Sequence, residues 1–407
     1  MAIAPGSDVR AEALAHEGEW TRHSVLIVAL CFVLNMIDGM DLLVISFLAP
    51  ALQKEWAVDA AAFAIVFSSS LAGMAVGGLG LAPLADRVGR RRMIVTAIAM
   101  MAAAMWMSSY AQSLSTLMLA RCVVGTGIGT VLACIAAISA RAAPEKHRNF
   151  AVGVLQGGYP IGAMITGFAT AWALPLYGWR TILEATAVVS LLSIPFVLWI
   201  IPNDAAPAAT MAEKMPISAV IQGDRRAASI RLWIAAICGF MALYFITSWI
   251  TKLSIEAGLP ETQAIIASAI YNLGAFVGTL WMSVAGIKRD IRTICFTLLI
   301  ASAGVFLIFG GIPMPLIGVL TAAFVMGVTL QGGFNSLYPI AARIYPDDVR
   351  ATGIGWAFGI GRIGAFSGPL IGGWALSQHL PLVAVFGIFC IPLTIAAVSA
   401  RGISFEK

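Results

Sequence analysis

Charge is what this sequence has least of: 11% of its 407 residues are Asp, Glu, Lys or Arg, against 60% hydrophobic. A soluble chain keeps about a quarter of its residues charged to cover its surface. The scarcity excludes a water-soluble globular protein and makes lipid the solvent. Histidine is nearly missing too; the four present lie outside the centres of the apolar runs. No metal-ligand cluster or nucleophile–base constellation stands out, which argues against an enzyme, and neither metal nor cofactor is expected. Cys31, Cys122, Cys134, Cys238, Cys295 and Cys390 sit singly in apolar stretches, without the spacings of a disulfide framework. No segment joins a basic groove to stacking aromatics, which speaks against nucleic acid as a partner. The first twenty residues lack the apolar core of a cleavable signal peptide, so the first apolar run must itself direct insertion.

What the chain does have is apolar runs, and they number twelve. They fall at 24–50, 60–82, 93–111, 113–137, 150–174, 181–201, 230–253, 262–287, 293–311, 315–341, 352–377 and 381–400. Each is close to or beyond the roughly 20 residues that cross a bilayer, and the longer ones tilt or stand in the headgroups. The segment 202–229 is the longest polar interruption and reads as a linker. The expected organisation is an N-terminal segment 1–23, a six-helix half 24–201, the linker, and a second half 230–407. Lysine and arginine collect in short cytoplasmic loops. Both ends and the even-to-odd loops hold twenty of them, the opposite side only Lys54, Arg180 and Lys252. Both termini are therefore expected in the cytoplasm, with the chain a multi-pass protein of the inner membrane.

Two loops match across the chain: RAAPEKHR at 141–148 and RIYPDDVR at 343–350, 202 residues apart. The same offset lays DRVGR (from Asp86) on KRDIR (from Lys288), and Gly153, Gly157 and Gly162 on Gly355, Gly359 and Gly364. A constant offset through three features points to two parallel six-helix repeats, hence an all-α membrane protein of twelve transmembrane helices in two halves. Carriers built this way hold their substrate near the midplane between the repeats.

The loop APLADRVGRRRMI (82–94) resembles the signature loop of the major facilitator superfamily, G-x-L-x-D-R-x-G-R-R, with Ala82 in place of the leading glycine. The resemblance implies the major facilitator fold and alternating access. It makes Asp86, Arg87, Gly89, Arg90 and Arg91 a gating loop rather than a substrate site. A narrower resemblance rests on DGMD (38–41), YFITSWITKL (244–253) and YPDDVRATGIGWAFGIGRIGAFSGPLIGG (345–373). These look like the aromatic acid:proton symporters, which import benzoate- and hydroxybenzoate-type anions. One departure is Arg141, three residues before Pro144, where many relatives carry a glutamate; more of the coupling then falls on the first span.

Two acids and two arginines lie deep inside spans: Asp38, Asp41, Arg121 and Arg362. At about 2.5–3.5 kcal/mol each on insertion scales, unpaired they would cost on the order of 10–14 kcal/mol. They must face the bundle interior, pair, or line water. A fixed salt bridge locking the halves is one outcome. Proton carriage is the other, because buried pairs seldom stabilise more than apolar residues of the same shape. The two aspartates, three apart on one helix face, suit proton coupling; Asp41 is favoured as carrier and Asp38 as its partner. Arg362 is assigned to the substrate carboxylate, which a guanidinium can grip on two bonds. Arg121 then pairs with the aspartates or the substrate, according to state. Tyr244, Trp249, Asn272, Gln331, Asn335 and Tyr338 complete the candidate site, with Gln156, Tyr159 and Tyr271 weaker. Gln331, Asn335 and Tyr338 form one polar stripe that either glues helices or lines a cavity, and Trp249 could equally anchor at the interface.

The reading is a monomeric, proton-coupled importer of a small organic anion, an aromatic carboxylate above all, with protons and the bilayer as its other partners. Efflux of drugs or metabolites is an alternative, but GGYPIG (157–162) only partly resembles an antiporter motif. A membrane sensor that binds aromatic acids without moving them is another, set against the lack of a signalling domain.

Overall fold

The computed structural model describes residues 20–203, 220–222 and 225–405. Most of the expected N-terminal segment 1–23, much of the linker 202–229 and the last two residues lie outside the described residues. Every regular element among the described residues is helical, as a chain in lipid requires when backbone groups must find partners within the segment.

The first half contains α1 (Arg22–Trp56), α2 (Ala60–Val76), α3 (Arg90–Ser109) and α4 (Leu114–Ala142), then one continuous run, Arg148–Ile200. The second contains α7 (Arg225–Glu256), α8 (Glu261–Lys288), α9 (Ile291–Gly311), α10 (Leu316–Asn335, continued by Leu337–Ile344), α11 (Asp347–Ser377) and α12 (Leu382–Arg401). Starts follow local chemistry. Thr21 and Ser24 form a capping box, and Asp59, Ser113 and Asp290 cap α2, α4 and α9, giving the first free N–H groups an oxygen. Pro260, Pro315, Pro346 and Pro381 precede α8, α10, α11 and α12.

Ten of these helices are long and apolar enough to cross a membrane. One is the Arg148–Ile200 run, which holds two passes. Gly178 sits at φ 74°, ψ 170° within it, a conformation open to glycine and few others. Before it, Leu155, Tyr159 and Gly167 meet Asn35, Gly39 and Phe47 of α1 in ascending order. After it, Trp179 and Ser190 meet Glu55 and Asp41 in descending order. The chain therefore reverses at Gly178, making 148–177 α5 and 179–200 α6. With α11, which glycines and Arg362 make less apolar, the described residues form twelve long helical segments. Most sequence boundaries fall within three residues of the helix ends, but α1 runs six residues further at its C-terminal end, α4 five, and α7 and α11 begin five residues earlier.

The 202-residue offset reappears as packing. Gly125 of α4 lies on the Ser70 carbonyl of α2, and Gly327 of α10 on the Tyr271 carbonyl of α8. Gly162 of α5 lies against Met36 of α1, and Gly364 of α11 against Ile237 of α7. A Cβ at any of these four would collide with backbone, so small residues set the helix spacing in both halves alike.

The halves touch chiefly through α5 with α8, α2 with α11 and α1 with α7. Ser46 donates to the Thr247 and Ser248 carbonyls (2.9 and 2.8 Å), and Ser68 to the Phe366 carbonyl (2.9 Å). The Ser46 and Ser68 bonds lie toward the face opposite the chain termini and hold the seam there, while Gly157 of α5 meets Phe276 of α8 nearer the terminal face. Toward the terminal face, a Cβ at Gly355 or Gly359 would meet nothing within 4 Å. Both stand on the Arg362 face of α11, seven and three residues before it.

Candidate functional site

The two aspartates of DGMD part company. Between them, Gly39 presses against the main chain of Tyr159 on α5, where any side chain would collide. This contact explains the glycine and brings α5 against the acidic turn. Asp38 is 2% exposed, its Oδ2 has no hydrogen-bond partner, and Tyr159 lies within its electrostatic reach. Tyr159 in turn feels Tyr244, Tyr271 and Arg362. Asp38 thus belongs to the space between the halves.

Asp41 points the other way, into the first half. It is fully buried, and its Oδ2 accepts from the Ser190 hydroxyl of α6 at 2.9 Å. Arg121, also fully buried, does not grip the Asp41 carboxylate. Its Nη2 donates to the Asp41 main-chain carbonyl (2.6 Å) and more distantly to that of Leu42 (3.4 Å). Nε reaches Ser70 Oγ at 3.4 Å and Nη1 reaches Met105 Sδ at 2.9 Å. The guanidinium is therefore enclosed by α1, α2, α3 and α4, away from the seam.

Arg362 stands in the second half's wall. Its guanidinium carbon is 5.6 Å from the centroid of Phe240, and its Nη1 is buried without a hydrogen-bond partner. Beside it Phe240, Tyr244, Phe334, Tyr338 and Phe358 pack into one aromatic cluster. Tyr338 stacks on Phe358 at 3.9 Å, Phe240 stacks on Tyr244 at 5.7 Å, and Phe334 lies 4.6 Å from Phe240. A cation next to aromatic faces is chemically complementary to a flat anion.

The remaining candidates divide. Tyr244 and Tyr338 join the aromatic cluster. Trp249 is fully buried, donates to the Pro369 carbonyl at 2.9 Å and meets Phe67 edge-on at 5.1 Å, which puts it in the closed seam between α2, α7 and α11. Asn272 bonds back to Ser268 of its own helix. Gln331 donates to Asn335, and Asn335 to Thr279 of α8 at 2.9 Å, so this part of the stripe ties α10 to α8. Of the gating loop, Asp86 lies on the short helix Ala85–Val88, Arg87 is exposed, and Gly89 at φ 100° breaks the chain before Arg90 and Arg91 begin α3.

Sequence reasoning passed over Phe240, Phe334 and Phe358. Each precedes Tyr244, Tyr338 or Arg362 by four residues, a one-turn spacing that places both on one face and could have revealed them. Nothing in the local sequence marks Ser70, Met105 or Ser190.

Paired helical repeats that carry buried acids, a guanidinium and an aromatic cluster are the make-up of a solute carrier of the membrane. The chain belongs to the Major Facilitator Superfamily, whose family model matches residues 31–338. It is 28% identical to a gallate transporter of Pseudomonas putida, over 92% of this chain and 90% of that one. It is 30% identical to the 3-(3-hydroxy-phenyl)propionate transporter of Escherichia coli K12, over 89% of each. The crystal structure of the nucleoside transporter NupG superposes with a TM-score of 0.75 at 14% identity, covering 94% of this chain and all of that one. It is an integral, multi-pass membrane transporter rather than an enzyme.

Proposed function

We propose that this transporter imports an aromatic carboxylate together with protons, across the inner membrane, with both termini in the cytoplasm. The observation that carries the reading is Arg362: a half-buried guanidinium with one N–H unpartnered, set against five aromatic rings. An unsatisfied buried donor costs about 1–3 kcal/mol, and more when charged. A carboxylate removes that cost, while a ring attached to it fills the aromatic cluster. The gallate and hydroxyphenylpropionate transporters it resembles are named for carboxylates of this kind.

In the cycle we envisage, the outward-open site takes a proton onto the Asp38/Asp41 turn, which lowers its negative charge. The substrate carboxylate then seats on Arg362. The seam at Ser46, Ser68 and Trp249 closes behind it, and the chamber then opens toward the termini. The loop 86–91 latches the opposite state. Lower proton activity inside releases both ligands. One proton with one monoanion moves no net charge, so the pH gradient, about 1.36 kcal/mol per unit, and the substrate gradient drive that stoichiometry.

Purified protein in liposomes with an alkaline interior tests the reading. Labelled gallate and 4-hydroxybenzoate should accumulate, and collapsing the pH gradient should stop it. Binding without flux would make the protein a sensor; export under the same gradient would make it an antiporter. Asp41→Asn and Asp38→Asn should each abolish uphill accumulation; a mutant that still concentrates substrate would remove its aspartate from the coupling.

A further inference from the structure

We propose that Ser190 of α6 is a positioning residue for a proton site that lies inside the first half, in a compartment separate from the substrate chamber. The inference rests on the proton-coupled reading above. Its basis is geometric. The Ser190 hydroxyl has two acceptors within reach, Asp41 Oδ2 at 2.9 Å and the Thr186 carbonyl of its own helix at 3.0 Å. It carries one proton and can serve only one of them at a time. When Asp41 is ionised, the hydroxyl donates to the carboxylate. When Asp41 takes a proton from water, its own O–H donates to Ser190 Oγ, and the serine hydrogen turns to Thr186. Rotating one hydroxyl thus keeps Oδ2 of this fully buried acid bonded in both charge states, while Oδ1 has no partner.

Arg121 fits the same scheme. Its partners are two main-chain carbonyls, a serine oxygen and a thioether, all of them neutral. Protonating Asp41 therefore leaves none of the Arg121 hydrogen bonds broken, as it would if the pair were a salt bridge. The other titratable groups around Asp41 are Asp38 on its own helix, Tyr159 from α5, Tyr244 from α7 and Tyr271 from α8. Tyr159 interacts electrostatically with Asp38, Tyr244, Tyr271 and Arg362. Tyr244 lines a narrow crevice with Leu42, Ser46 and Ser70. Neither α2 nor α3 brings a titrating group to the turn; they supply Ser70 and Met105. The charge on Asp41 reaches the chamber through Asp38, one helical turn away, and not through contact with the substrate.

The experiment compares wild type, Ser190→Ala, Ser190→Thr and Ser190→Cys in two measurements. The first is the pH profile of uptake. The second is infrared difference spectroscopy of the purified protein across the same pH range, following the carboxylic C=O band that Asp41→Asn removes. Loss of the hydroxyl deprives the ionised acid of a charge-assisted bond, the stronger of the two it makes. In Ser190→Ala both midpoints should therefore move to higher pH, by roughly half to one unit. Threonine restores the wild-type midpoint and cysteine falls between. Substrate dissociation constants at pH values below the midpoint should stay within about twofold of wild type, the scale of effects too small to signal a lost contact. Coincident titrations in wild type and Ser190→Ala overturn the proposal, as does a shift that threonine fails to reverse. The infrared band needs no transport. A wild type that moves no aromatic acid would sink the transport reading, and the band would still decide the role of Ser190.

Discussion

At the scale of single residues, the site turns on what each charged group is short of. Arg362 lacks a hydrogen-bond partner for Nη1, and Asp38 for Oδ2. Replacing Arg362 with lysine keeps the charge but loses the planar fork. Uptake at subsaturating substrate should drop by roughly 10- to 100-fold, the worth of one or two charge-assisted bonds. The loss should appear in KM, read from initial rates in proteoliposomes; an unchanged KM would detach Arg362 from the substrate. The charges were legible in the sequence because lipid makes any intramembrane charge conspicuous. Their partners were not. Arg121 is held by carbonyls of Asp41 and Leu42, and every residue has a carbonyl, so no side-chain pattern announces the contact. The sequence leaves Trp249 open between a ring for the site and an interfacial anchor, since its N–H needs a partner in either place. That the partner is Pro369, 120 residues away, is a fact of tertiary packing alone.

At the scale of elements, two junctions set what moves. On the far face, Ser46 and Ser68 reach across the seam to main-chain carbonyls of α7 and α11. Each bond contributes about 1 kcal/mol net. The double variant Ser46→Ala/Ser68→Ala should therefore shift the conformational equilibrium toward an open far face by up to about 30-fold. Maleimide labelling of a cysteine placed at Ser248 reads that shift as faster modification, and equal labelling rates would remove these serines from the gate. On the terminal face, Asp290 caps α9 and holds Arg292 (3.2 Å) and Arg401 (3.3 Å), while Arg292 reaches the Ile403 carbonyl and covers the Phe405 ring. Burial alone would raise the proton affinity of Asp290, but the hydrogen bonds and charge of Arg292 outweigh it and hold the carboxyl below its ordinary range. A depressed acid stabilises the fold above its unfolded value, about 3.9, and loses that contribution as pH falls through the folded one. Asp290→Asn should lower thermal stability slightly near neutrality, by no more than about 1 kcal/mol for so exposed a pair. The deficit should vanish at strongly acidic pH, measured by thermal unfolding in detergent; a deficit constant with pH would mean the cap rather than the charge is at work. Helix positions were readable in the sequence because apolar run length and caps are local. The reversal at Gly178 was readable too, as a break between two runs, although the helical hydrogen bonding continues on either side of it.

At the scale of the whole molecule, the repeat governs. The 202-residue offset visible in two loops became four matched glycine contacts, because a duplicated helix pair can stay close only where the small residue is duplicated with it. The chemistry on the scaffold does not obey the repeat. The offset lays Asp38 on Phe240 and Arg121 on Ala323, so the acids and the enclosed arginine belong to one half and the aromatic cluster with Arg362 to the other. The proposed function then divides the labour: the first half would take the proton, the second the ring, and the seam would rock for either to cross. Immobilising the seam should then stop transport without touching recognition. Cysteines at Ser46 and Ser248, in a chain whose six native cysteines are replaced, can be joined by a short bifunctional maleimide, since the Ser46 hydroxyl already lies 2.8 Å from the Ser248 carbonyl. The joined protein should lose uptake and exchange completely, while the same protein in detergent still binds the aromatic acid with its former affinity, because the link lies at the far seam and leaves the terminal face free. Exchange that survives cross-linking would show that the substrate crosses without opening this seam, and the rocking of the two halves would have to be abandoned.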